Sequence, residues 1–135
     1  MVLRGLWSCG LALVVTGCGP QTQRIVMKAE NNSGQSGFAV LTALSPSSTR
    51  IDLDLAASND PRPQPGHVHE GRCGEIGAIR AGLASVAPSP TKPERFVSST
   101  EVSLGFEQLL SGTYAINVHD ARDLSLYISC GDLTR

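Results

Sequence analysis

The sequence predicts an all-β fold, an antiparallel sandwich or barrel with one short helix. Three observations carry this. Residues of high β-propensity come in short runs, separated at roughly 8–12-residue spacing by turn-forming residues. One run, Arg50-Ile51-Asp52-Leu53-Asp54-Leu55, alternates apolar and polar strictly, the signature of a strand with one buried face. Finally, 14 Gly and 8 Pro, with only one Trp, two Tyr and three Phe, suit a loop-rich chain with a small aliphatic core. A chain of 135 residues that is 41% apolar and 17% charged is also too apolar for intrinsic disorder. It should fold as one domain.

Taken in order, the elements are as follows. Gly19 to Gln23 reads as a polar tether, and Ile25 to Ala29 as the first strand. The turn Asn31-Asn32-Ser33-Gly34 leads to a second strand, Phe38 to Leu44, and Ser45-Pro46-Ser47-Ser48 leads to the alternating third. Two proline clusters, Pro61, Pro63, Pro65 and Pro88, Pro90, Pro93, read as loops, because proline has no N–H to give to a ladder. Between them Gly66 to Glu70 is a short strand, and Arg95 to Leu104 is another after the second cluster. Gly105 to Gly112 is the best helix signal, one or two turns ended by glycine. Two strands close the chain, Thr113 to His119 and Ser125 to Cys130, across the polar turn Asp120 to Asp123.

Function starts at the N-terminus. Arg4 is followed by Leu6, Trp7 and Leu11 to Val15, an apolar run with the shape of a signal peptide. It is shorter than the roughly 20 apolar residues a spanning helix needs. Its end, Val15-Thr16-Gly17-Cys18, resembles the lipobox of bacterial lipoproteins, in which the cysteine is lipidated after cleavage. That resemblance implies a signal peptide over 1–17, a lipidated tether over 18–23, a folded domain over 24–135, and a membrane partner bound through acyl chains on Cys18. Several chains on one cysteine anchor firmly, since each buried methylene contributes about 0.8 kcal/mol. The protein is then expected in the cell envelope, lipid-anchored on the extracytoplasmic side, facing the periplasm or at the outer membrane. A net charge of −1 provides no positive field for nucleic acid, which is not an expected partner.

Cleavage would remove Cys9 and commit Cys18 to lipid, leaving Cys73 and Cys130. In an exported protein such a pair reads as one disulfide, the alternative being two buried thiols.

The histidines are the remaining chemistry. His67 and His69 are spaced i, i+2, which on a strand puts both rings on one face with Cα atoms about 7 Å apart. His119 comes fifty residues later, so a site using all three would exist only in the folded chain. Gly66-His67-Val68-His69-Glu70, then Cys73-Gly74, Val118-His119-Asp120 and Cys130-Gly131, resemble the copper/zinc superoxide dismutase family in order and in kind. The resemblance implies an eight-stranded Greek-key β-barrel, with His67, His69 and His119 as ligands of one copper ion and Cys73–Cys130 as the bridge. The family's zinc-bridging histidine has no counterpart in Gly74 to Ile79, and the other zinc histidines are missing, so no zinc is expected. The family's substrate-guiding arginine is replaced by Tyr127, and Arg72 or Arg122 are the candidate substitutes. Glu70 and Asp120 directly follow ligand candidates and should point to the opposite face as surface charges.

Two functions follow. One is a membrane-anchored copper protein that dismutates superoxide by Cu(II)/Cu(I) cycling, with superoxide or a copper donor as its partner. The other is a noncatalytic envelope domain, or a copper-holding one, that keeps the fold without activity. No Gly-x-Ser-x-Gly elbow or phosphate-binding glycine loop points to other catalysis.

Overall fold

The computed structural model describes residues 19–135. The signal peptide over 1–17 and the lipidation site Cys18 lie outside the described residues. Eight strands and one helix follow in the order β1 (Thr22–Ala29), β2 (Gly37–Ser45), β3 (Ser48–Ala56), β4 (Gln64–Arg72), β5 (Glu75–Pro88), β6 (Arg95–Val102), α1 (Phe106–Ser111), β7 (Tyr114–His119) and β8 (Tyr127–Asp132). All neighbouring strands are antiparallel and close into a barrel in the order β1-β2-β3-β6-β5-β4-β7-β8.

Period-2 patterning builds the wall. In β3, Ile51, Leu53 and Leu55 are buried, while Asp52 and Asp54 face outward to Ser99 and Arg95. Met27, Leu41, Val68, Ile116 and Val118 complete the same core from β1, β2, β4 and β7. A helix of six residues is not stable by itself. Burial of Phe106, Leu109 and Leu110 holds α1 against the barrel, and each such side chain contributes roughly 1.5–3 kcal/mol. As expected, the helix ends at Gly112, where a Cβ would lie 2.4 Å from the Tyr114 ring.

Sequence reading missed β5. This strand has only Val86 buried, contains Gly77 and Gly82, and lacks apolar alternation. It is held mainly by its long ladder to β4 and a short one to β6, with Ala81 and Leu83 packing beside Val86 only at the margin of the core. The proline loops are also corrected at their edges. Pro65 lies within β4, at a register shift between Gln64 and Gly66 where a missing N–H breaks no pair, and Pro88 is the last residue of β5. The tether is shorter than expected, since Thr22 and Gln23 already pair with Thr42 and Leu41. β8 in turn starts at Tyr127, because Asp123 holds Ser125 and Leu126 in a turn.

Two connections position the site. The 57–63 segment carries the chain from β3 to β4, and the 103–113 segment, with α1, carries it from β6 to β7. Each skips strands, so β4 and β7 become neighbours although far apart in sequence. The β4–β5 hairpin turns at Cys73-Gly74, just beyond an irregularity in β4 at Gly71, whose φ of +95° and 2.2 Å Cβ clearance from the Glu75 carbonyl admit only glycine.

Candidate metal centre

Antiparallel pairing sets His67 opposite Asn117 and His69 opposite Ala115. Val68, Ile116 and Val118 point into the core, so the residues alternating with them share the outer face of the sheet. His67, His69 and His119 therefore meet there, as the sequence predicted. Ring centroids are 5.6 Å apart for His67–His69, 5.0 Å for His67–His119 and 6.0 Å for His69–His119. One ligand atom from each ring lies within 4.8 Å of the other two, an arrangement that could hold a metal ion. Bonds of about 2.0–2.1 Å separate two ligands of one ion by at most about 4 Å, so the widest pair needs to close by less than about 1 Å.

The hydrogen bonds fix which nitrogens are free. His69 Nδ1 lies 3.0 Å from the Gly77 carbonyl, and His119 Nδ1 lies 2.7 Å from the Leu124 carbonyl. A carbonyl only accepts, so both Nδ1 atoms carry the proton and both Nε2 atoms present a lone pair. His69 Nε2 is buried with no partner among the described residues. His119 Nε2 accepts from His67 Nδ1 at 3.0 Å. A cation entering the cluster needs only to replace that one proton.

His69 and His119 are 5% and 6% exposed, whereas His67 is half-buried and opens the cluster to solvent. Burial, then the charges of His119 and His69, pull the His67 pKa below its ordinary 6.5. This favours the neutral, ligating form. The sign for stability follows: below pH 6.5 the unfolded chain binds the proton more readily than the fold does. The contribution is full above 6.5 and is lost as the pH falls toward the depressed folded value. The melting temperature of metal-free protein is thus expected to fall on acidification from pH 7 to 5, more gently in His67→Gln. Equal slopes would show that His67 does not carry the effect.

Around the cluster, Tyr127 stacks edge-on against His119 at 5.2 Å. Glu70 is a surface charge, as expected, 3.7 Å from Arg80. Asp120 is not: its side chain is only 15% exposed, and its Oδ1 accepts from the Arg122 backbone N–H at 2.7 Å. Arg122 is not a free cation either, since Asp120 and Asp60 lie 3.4 and 3.5 Å from its Nε. Hydrogen bonds from Arg62 above all, with the charge of Arg122, hold Asp60 at about 2, so this ion network stays charged at neutral pH. Arg72 ends β4 on the exposed side of the β4–β5 hairpin.

Cys73 and Cys130 form a disulfide, with Cα atoms 5.9 Å apart and a sequence separation of 57. The Cys73 N–H donates to Asp132 Oδ1 at 2.8 Å, so the turn leading to Gly77 is tied to β8 twice. The sequence did not reveal the Gly77 and Leu124 carbonyls, since every residue has one and only the fold aims it. Asn117 was also missed, though an amide inside Ala115-Ile116-Asn117-Val118 was a visible anomaly. Fold and site together define an antiparallel β-barrel protein with a three-histidine candidate metal site. No family model and no curated protein matches the chain.

Proposed function

We propose that this chain is a copper-binding envelope protein related to the copper/zinc superoxide dismutases, held to a membrane by lipid on Cys18. The observation that carries the reading is the convergence of three imidazoles, of which His69 and His119 turn their Nδ1–H groups outward to backbone carbonyls and so aim Nε2 into the cluster beside His67. Imidazole suits copper, which leads the divalent affinity order. The strand order, with its two skipping connections, suits a Greek-key barrel, and the disulfide suits an oxidising compartment. No helix among the described residues is long and apolar enough to cross a membrane, so the proposed attachment rests on Cys18 and the apolar run before it.

Copper in this site would supply one-electron chemistry, the exchange between Cu(II) and Cu(I) on which superoxide dismutation rests. The chain's own part is positional. Gly77 and Leu124 lock two rings, the barrel wall excludes water behind them, and His67 forms the open side. Protons come from solvent there, because Glu70 and Asp120 are engaged elsewhere.

A specific observation favours the copper-holding reading over fast catalysis. Arg122, one of the two candidate substitutes for a guiding arginine, is neutralised by two carboxylates, and Tyr127 stacks edge-on against His119 where such a cation would stand, which weakens the local positive potential that fast anion capture needs. Protein from copper-supplemented cells, dialysed extensively, is expected to keep about one copper per chain. Retention of none would reject the reading. Superoxide decay faster than free copper allows, and abolished by chelator, would assign the enzyme; retained copper without such decay would assign the carrier.

A further inference from the structure

Asn117 occupies the middle of β7 between Ile116 and Val118, both in the core, and so projects from the histidine face. Its strand partners on that face are His67 on β4 and Cys130 on β8, and His119 stands two residues further along. Cross-strand neighbours of this kind have Cβ atoms about 4.5–5.5 Å apart. The residue is 0% exposed, and neither Oδ1 nor Nδ2 has a hydrogen-bond partner among the described residues.

The fold gives no reason for an amide here. Asparagine is disfavoured in strands, and burying its side chain without partners is unfavourable. A leucine would fill a similar volume at no such cost. A buried polar group of this kind calls for a partner, and beside it lie three imidazole nitrogens, with the His69 Nε2 also buried and unpartnered.

We propose that Asn117 Oδ1 is the fourth donor to the metal held by His67, His69 and His119. The inference rests on the copper-binding reading above. It adds a neutral oxygen to three nitrogens. A carbonyl-type oxygen is a hard donor and suits Cu(II) better than Cu(I), so the amide biases the site toward the oxidised ion. It also explains why a stability cost persists in the centre of a strand.

The test compares Cu(II) and Cu(I) binding by the full chain and its Asn117→Leu and Asn117→Asp variants, with the Cu(II) electron paramagnetic resonance spectrum and the metal-free melting temperature. Asn117→Leu is expected to bind Cu(II) about tenfold or more weakly, a loss in the range of lost metal-site contacts, with little change for Cu(I). Its spectrum should shift, and its metal-free form should melt higher than wild type. Asn117→Asp, which keeps the oxygen, should restore Cu(II) binding. Wild type that binds copper while Asn117→Leu shows the same Cu(II) affinity and spectrum would overturn the fourth ligand and leave the three-histidine site standing. A lower metal-free melting temperature in Asn117→Leu with an unchanged spectrum would do the same, by making the amide purely structural. Wild type that binds no copper would overturn both readings.

Discussion

Alanine in place of His119 is expected to abolish copper retention. The substitution removes one of three imidazoles and, with it, the only nitrogen donor that β7 brings to the cluster. What remains is the His67–His69 pair, an i, i+2 arrangement common on strands that never hold metal. Metal-free stability should change less than binding does. The lost ring is 6% exposed and packs on Tyr127, so truncation leaves a partial void. Removing a buried side chain of this size costs on the order of 2–4 kcal/mol. The His67 Nδ1–H loses the acceptor that His119 Nε2 provides. Two measurements separate these effects. After dialysis the variant should carry almost no copper, against about one per chain for wild type. Added copper should then raise the wild-type melting temperature but not the variant's. Ligand at a hundredfold excess over its dissociation constant stabilises the native state by about 2.7 kcal/mol, and a protein without the site gains nothing. Equal retention by wild type and variant would reject a three-histidine site.

How legible the molecule was depended on what each residue was selected to do. β3 could be read because Ile51, Leu53 and Leu55 all enter the core, leaving an unbroken alternation in the sequence. The helix could be read because Phe106, Leu109 and Leu110 share a face and Gly112 ends the run. β5 could not, because it sits on the wall through its ladders to β4 and β6 and sends only Val86 fully into the core, with Ala81 and Leu83 at its margin; backbone pairing leaves no mark on side-chain pattern. The site divides in the same way. The spacing of His67 and His69 announced a shared face, whereas the approach of His119 depends on β4 lying beside β7, a product of two skipping connections that periodicity does not encode. Arg122 looked like an available cation from its neighbours in sequence. Asp60, brought in from the 57–63 connection, makes it half of an ion network.

Removal of the disulfide as Cys73→Ser with Cys130→Ser is the second large effect, and it should reach both stability and the metal. Both cysteines are replaced together because a single freed thiolate beside the cluster would itself bind copper. In the chain-entropy account, a bridge with a sequence separation of 57 restrains the unfolded chain by roughly 4 kcal/mol. Loss of a native bridge from a small domain costs about 2–5 kcal/mol, and for a domain of this size the melting temperature should fall by on the order of 10 °C. The effect on copper follows from position. The bridge and the Cys73 N–H to Asp132 bond fasten the β4–β5 turn to β8, and the start of β5 just beyond that turn presents the Gly77 carbonyl to His69 Nδ1. Without the bridge the turn before that carbonyl is tied to β8 once instead of twice, and the His69 ring is less firmly set with its Nε2 toward the cluster. Loss of such an orienting contact weakens metal binding by about 10–100-fold, a partial defect where His119→Ala is a complete one. Thermal unfolding and copper titration of the double variant read the two consequences separately. A large fall in melting temperature with unchanged copper affinity would confine the bridge to stabilising the barrel and leave the orientation of His69 to the β4–β5 ladder alone.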